Sequence, residues 1–209
     1  MRITLDTKCR LCRAEGAKLY LKGARCFSAK CPLEKKGVIK PGMHGQKRSK
    51  KPTDYGLQLR AKQKAKRIYG IQETQFKNYY LKAKKLKGLV GENLMTLVES
   101  RLDNVVYNAG LSLSRSHAKE IISHRHILVN GEIVGINSYS VKVGDVISIN
   151  EKYSAKIGDI IRLSDKDFKS PEWLDVQKSK YSAKVIALPT IDQNQNGIDV
   201  NLIIEYYSR

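Results

Sequence analysis

The chain has 209 residues and a formal net charge of +19, with a sequence pI near 9.8. That length suits one or two domains, each able to bury a core, and a cationic balance of this size predicts a polyanionic partner while leaving the fold open. No apolar stretch approaches the roughly 20 residues needed to span a bilayer, and Met1 to Asp6 lacks the apolar run of an export signal, so a cytoplasmic protein is expected. In that compartment four cysteines suit a metal better than disulfides.

The charge is segregated. Residues 1–90 hold 25 Lys and Arg against 5 Asp and Glu, whereas residues 91–209 hold 14 against 15. Charge added only for solubility would not segregate. A disordered basic tail is the alternative reading of such a run, but apolar and aromatic residues are threaded through it, which favours folding.

All four cysteines lie in the first 31 residues, as Cys9, Cys12, Cys26 and Cys31, in the spacing Cys-x2-Cys-x13-Cys-x4-Cys. Two close pairs separated by a short loop suit one tetrahedral ion. Flanking cations favour thiolate over thiol. So short and polar a stretch has little core, so metal would supply its folding energy. Zinc is the default ion, and an iron–sulfur cluster would use the same four thiolates. No histidine completes an open catalytic site here, so a structural role is expected; four free thiols in a small core is the competing reading. Lys22 and Arg25, within the module, are candidate RNA contacts.

Residues 35–52 carry two prolines, three glycines and seven basic residues. This composition predicts an irregular segment that follows an RNA backbone rather than burying a core. Lys47, Arg48, Lys50 and Lys51 are the first candidates for phosphate contact, with His44 as a further RNA or turn residue.

Residues 54–69 read as a helix stopped at Gly70. Residues 73–87 read as a second, with Phe76, Tyr79, Tyr80, Ala83 and Leu86 on its buried face. Such aromatics are more often core than base-stacking platforms. Around them Arg60, Lys62, Lys66, Arg67, Lys82, Lys84 and Lys85 are candidate RNA contacts.

From residue 91 the pattern changes. Asn93 is placed to cap a helix running from Leu94 to Ala109 with Gly110 as its stop, and Ser114 to cap a second in which Ala118, Ile121 and Ile122 face inward. Arg115 and Lys119, four residues apart, share the outer face, with His117 and Arg125 near that surface. Ile127–Val134 contains Asn130-Gly131 between β-branched runs, a hairpin signal because both turn positions need positive φ. A third strand is expected over Val141–Ile149, interrupted at Gly144-Asp145. The whole is an α+β chain whose second part is two helices packed on a small antiparallel sheet.

Arg101-Leu102-Asp103-Asn104-Val105-Val106-Tyr107, Ser114-Arg115-Ser116-His117-Ala118-Lys119, His126-Ile127-Leu128-Val129-Asn130-Gly131 and Val143-Gly144-Asp145 closely resemble the alpha-L-type RNA-binding module named for ribosomal protein S-four. That module also occurs in pseudouridine synthases, tyrosyl-tRNA synthetases and a heat-shock RNA-binding protein. Further stretches resemble the bacterial-type ribosomal family over almost the whole chain: Cys9-Arg10-Leu11-Cys12-Arg13, Lys18 to Gly23, Pro41-Gly42-Met43-His44-Gly45, Pro171-Glu172-Trp173-Leu174, and Ile204 to Arg209.

The resemblance implies a primary 16S ribosomal RNA binder that nucleates assembly of the small-subunit body, contacts small-subunit protein five, and with proteins five and twelve influences decoding accuracy. It also implies a place along the path by which messenger RNA enters, and in some bacteria repression of its own message. The family has four-cysteine and cysteine-free forms, and this chain has all four. Arg101 and Asp103 belong to the family motif, and they suit direct RNA contact and mutual pairing equally well.

The expected organisation is a cysteine module with its basic loop over residues 1–50, a helical segment over 51–92 completed by residues 165–209, and the RNA-binding module over 93–160. Residues 156–163 resemble 142–149 and read as a strand, although the family places a helix nearby. Trp173 and Tyr181 are expected in the core, and residues 190–199 as a polar loop before a final strand. An RNA-modifying or RNA-chaperone protein using the same module is the main alternative. It would need a catalytic domain, yet only about 60 residues follow the module, without His or Cys. A zinc-containing DNA-binding regulator would need a recognition helix or dimerisation element, and neither is evident.

Overall fold

The computed structural model describes residues 8–47, 51–150, 153, 168–189 and 197–209. Among them are helices α1 (Lys8–Glu15), α2 (Pro32–Lys36), α3 (Asp54–Tyr69), α4 (Glu73–Lys85), α5 (Val90–Glu99), α6 (Leu102–Asn108), α7 (Arg115–Ser123) and α8 (Val200–Ser208), and strands β1 (Ile127–Val129), β2 (Glu132–Ile133), β3 (Val146–Ile149), β4 (Leu174–Gln177) and β5 (Ser182–Val185). The chain forms two compact units, one of residues 1–91 and 192–209, the other of residues 92–191. No helix of the described residues is long and apolar enough to cross a membrane.

In the first unit, α3 begins where the Thr53 hydroxyl accepts the Gly56 N–H at 3.2 Å, filling one of the donors that a helix start leaves open. It ends as expected at Gly70, whose φ of 61° closes the last turn. Ala65, Ile68, Tyr69, Phe76, Tyr80 and Ala83 are buried, and α3 packs along α8. Tyr207 of α8 stacks on Tyr80 with ring centroids 5.0 Å apart.

Helix α8 replaces the final strand expected from the sequence. Apolar residues are dense from 198 to 207, so periodicity alone does not separate the two forms. The Asp199 carboxylate caps its start, accepting the Asn201 and Leu202 N–H groups at 3.1 and 3.3 Å. Burial of Val200 and Ile203 on one face completes the choice.

In the second unit the strands form one antiparallel sheet in the order β2-β1-β3-β5-β4. Ile127 pairs with Ile149 and Val129 with Ile147, so these four share a face. They join Leu102, Val105, Val106, Ala118, Ile121 and Ile122 of the helices, and Leu174, Ala183 and Val185 of β4 and β5, in one core. Trp173 and Tyr181 pack against its margin. Asn130 and Gly131 take φ of 53° and 85°, the double positive φ expected of the hairpin turn.

Three expectations are corrected here. Residues 165–209 do not all complete the first unit: β5 pairs with β3, which draws the β4–β5 hairpin into the second unit's sheet and leaves residues 192–209 to the first. The expected helix from Leu94 to Ala109 is two helices, and its first part starts at Val90, which places Asn93 inside it rather than at its cap. The break comes at Ser100–Arg101, because the Leu102 N–H donates to the Tyr139 carbonyl at 2.8 Å and the Val141 N–H to the Ser100 carbonyl at 2.9 Å. These bonds satisfy groups that a continuous helix would have paired internally. The third strand is confined to Val146–Ile149. The repeat at 156–163 lies outside the described residues, as do 190–196 of the polar loop.

Candidate nucleic-acid interface

The cysteine module is assembled by α1, a single 3-10 turn over Gly23–Cys26, and the start of α2. Pro32, at the start of α2, has the φ a helix start requires, which sets Cys31 at the cap. All four cysteines are free thiols, and all four line one cavity of about 20 Å³ together with Lys8, Leu21, Lys22, Pro32 and Leu33. The Lys22 N–H donates to Cys26 Sγ at 3.3 Å. Burial pushes the Cys12 and Cys26 thiols up, while backbone hydrogen bonds from Leu19 and Lys22 pull the other way. Among the described residues no three His, Cys, Asp or Glu side chains form a metal-holding group; the four thiols share a cavity without meeting that geometry. Their convergence, open thiol state and N–H···S bonding fit a thiophilic cation.

The cations expected from the sequence to meet RNA divide into two groups. Arg25, His44, Lys47, Lys51, Arg60, Lys82, Lys84 and Lys85 are exposed. Of these, Arg60 also stands 3.5 Å from Glu15. Arg48 and Lys50 lie outside the described residues. Lys22 is half-buried against the thiol cavity. The others turn inward. Lys62 is buried and donates to Glu73 at 2.9 Å, Lys66 donates to the other Glu73 oxygen at 2.7 Å, and Tyr207 donates its hydroxyl at 2.7 Å. Lys62 also lies 4.0 Å from the centroid of the Tyr206 ring. Arg67 is paired with Glu15. Burial alone would raise the Glu73 carboxyl, but these three donors hold it down at about 2. Lys62, Lys66 and Arg67 therefore brace α3 against α4 and α1.

In the second unit Arg101 is buried and held by Asp103 through two hydrogen bonds, the mutual pairing that was one of its two readings. Lys119 stands 3.4 Å from the same carboxylate; burial pushes its ammonium down and Asp103 partly restores it. His117 is half-buried, its Nδ1 has no hydrogen-bond partner among the described residues, and burial lowers its pKa. Arg115 is placed by residues that the sequence does not mark as site components. Its Nε donates to Asn104 Oδ1 at 2.8 Å and its guanidinium lies 4.4 Å from the Tyr107 ring centroid. Asn104 in turn donates to the Glu99 carboxylate. The one sequence signal for them is that Asn104 and Tyr107 fall in the same motif as Arg101. Arg125 is exposed at a positive φ of 60°. Beside it His126 stacks on Tyr153 at 3.7 Å, with His124 6.0 Å from His126.

A family model described as the ribosomal protein S4/S9 N-terminal domain matches residues 5–99, and the S4 domain matches residues 100–147. The chain belongs to the ribosomal protein S4 family. It is 48% identical over 201 residues to the small ribosomal subunit protein uS4 of Desulfitobacterium hafniense, with 96% of each chain covered. Proteins of the same description from Acetivibrio thermocellus and Caldicellulosiruptor saccharolyticus are 50% and 51% identical, again with 96% of each chain covered. The S4 family consists of ribosomal RNA-binding structural proteins rather than enzymes. Its two matched segments meet at residues 99–100, where the described structure breaks α5 from α6.

Proposed function

We propose that this chain is a structural constituent of the small ribosomal subunit, in the cytoplasm, that binds 16S ribosomal RNA and has no catalytic role. The observation that carries this is likeness over almost the whole length to proteins described as small ribosomal subunit protein uS4, together with the confinement of excess positive charge to residues 1–90. The RNA-facing cations are Arg25, Lys47, Lys51, Lys82, Lys84, Lys85, Arg115 and Arg125, with Arg48, Lys50 and the exposed Arg60 and His44 as further contacts. Dispersed cations of this kind suit a junction-rich RNA, which is recognised largely through shape and backbone. Nucleation of subunit-body assembly, contact with small-subunit protein five, a shared influence with protein twelve on accuracy, and a place beside the incoming messenger RNA belong to the same reading.

Cys9, Cys12, Cys26 and Cys31 hold one structural zinc, and an iron–sulfur cluster is the other group that four thiolates accept. Such a cation reverses the effect of burial on the thiols, because a coordinated thiol is deprotonated outright.

Sedimentation tests the first claim. The chain is expected to co-sediment with small subunits, and the isolated protein to bind 16S RNA more weakly as salt rises. Binding without preference for 16S RNA over unrelated structured RNA would overturn it. Elemental analysis of purified protein tests the second, with about one zinc per chain expected. A brown iron–sulfur absorbance would replace the ion.

A further inference from the structure

Tyr20 and Phe27 form a stacked pair on the cysteine module, with ring centroids 4.9 Å apart and planes inclined by 26°. Both side chains face solvent: Tyr20 is 39% exposed and Phe27 61%. The neighbouring Leu19 does the opposite and is 2% exposed. Tyr20 reaches its outward position at a φ of 51°, a left-handed conformation that bulky side chains rarely adopt and that persists only where the surroundings enforce it. Phe27 directly follows Cys26, and its N–H donates to the Ala24 carbonyl at 3.1 Å. The Ser28 hydroxyl donates to the Arg25 carbonyl at 3.1 Å, which ties down the loop carrying Phe27. Two aromatic rings are thus held face to face on a hydrogen-bonded turn, and Arg25 and Lys30 beside them are exposed.

From this arrangement we infer that Tyr20 and Phe27 form a stacking platform for an unpaired RNA base, with Arg25 and Lys30 taking the adjoining phosphates. Offset stacking is a favoured arrangement of aromatic faces, and a base adds one more plane to a pair already stacked. Aromatic platforms flanked by cations are a common means of holding unpaired nucleotides, and they tolerate any base because every base has a π-face. Arg25 and Lys30, two residues before and three after Phe27, are exposed cations, which suits a nucleotide better than an apolar protein surface. The platform presupposes the RNA-binding role proposed above.

The test uses the full chain and a 16S RNA transcript. Tyr20→Leu combined with Phe27→Leu keeps apolar bulk and removes the π-faces. This variant is expected to bind about tenfold more weakly, with the slope of log affinity against log salt unchanged, since no cation has been removed. Phe27→Trp alone is expected to bind as well as the parent. Circular dichroism and thermal melting check that each variant is folded. If the double variant misfolds, photo-cross-linking of the parent chain to 4-thiouridine-substituted RNA takes its place, with adducts expected at Tyr20 or Phe27. A folded double variant of parental affinity, or adducts only elsewhere, overturns the platform. So does a double variant that binds RNA normally but is no longer taken into subunits, since the rings would then meet a protein. A parent chain that ignores 16S RNA removes the broader role and the platform with it, whereas a parent that binds no better than a folded double variant removes the platform alone.

Discussion

Asp103 grips Arg101 with both carboxylate oxygens, accepting from Nε at 3.0 Å and from Nη2 at 2.8 Å, and neither side chain is more than 4% exposed. The pair stands where α5 gives way to α6. Deleting one partner strands the other charge in a dry interior, so Asp103→Ala is expected to destabilise the second unit by about 3–5 kcal/mol. Replacing both by apolar residues, Arg101→Met with Asp103→Leu, should cost less than either single change. Urea unfolding curves for the variants check this.

Lys119 is tied to the same carboxylate, so reversing its charge changes stability as well as RNA binding. Lys119→Glu brings a second negative charge to within a few ångströms of Asp103 and should lower the melting temperature together with the affinity. Arg125→Glu, on an exposed turn, should weaken RNA binding while leaving the melting temperature in place. Arg125→Ala should reduce the salt slope by about one, because one phosphate is no longer neutralised. Binding isotherms at several salt concentrations, beside thermal melts, separate the two cases.

Glu73 makes the first unit sensitive to acid. Its carboxyl is lowered from 4.5 to about 2 in the folded chain, so its contribution is complete above about pH 4.5 and disappears as pH falls toward 2. The full shift corresponds to at most about 3 kcal/mol. Screening at a side chain that is 43% exposed reduces this to about 1 kcal/mol. Glu73→Gln should flatten the stability profile of the first unit between those pH values, as followed by unfolding at fixed denaturant.

Asn130 links two of the sequence motifs. Its Nδ2 donates to Asp145 at 2.9 Å, its Oδ1 accepts the Val146 N–H at 2.8 Å, and its own N–H donates to the Val146 carbonyl at 2.8 Å. Asn130→Ala keeps the backbone bond, removes both side-chain bonds and places a poorly suited residue at positive φ. A destabilisation of about 1–3 kcal/mol is expected. Asn130→Gly, which tolerates the turn, should cost less. Denaturant midpoints of the two variants make the comparison.

The proposed metal can be tested by removal. Cys26→Ser, or treatment with a strong chelator, should unfold the cysteine module and leave the second unit's melting transition in place, because a metal-bound module of this size owes its folding to the ion. Calorimetry resolving the two transitions, with zinc content measured alongside, checks it. Loss of both transitions together would show that the module's order reaches further than the thiol cavity.

Features set by local chemistry were legible in the residues alone. Gly70 ended α3, Ser114 capped α7 by accepting the His117 N–H, and Asn130-Gly131 set the hairpin, because caps and positive-φ turns depend on a few adjacent atoms. The clustering of four cysteines and the segregation of charge were likewise readable from spacing alone. Tertiary structure decided which cations face water. Lys62, Lys66 and Arg67 are indistinguishable in sequence from Lys82, Lys84 and Lys85, yet the first three meet Glu73 or Glu15 and the others remain exposed. It also decided that 200–208 is a helix and that a new one opens after Arg101, since both depend on burial or hydrogen bonds to residues distant in the chain. Side-chain type fixes how much charge a residue carries, whereas the distance to a carboxylate on another element fixes whether that charge is left for an RNA.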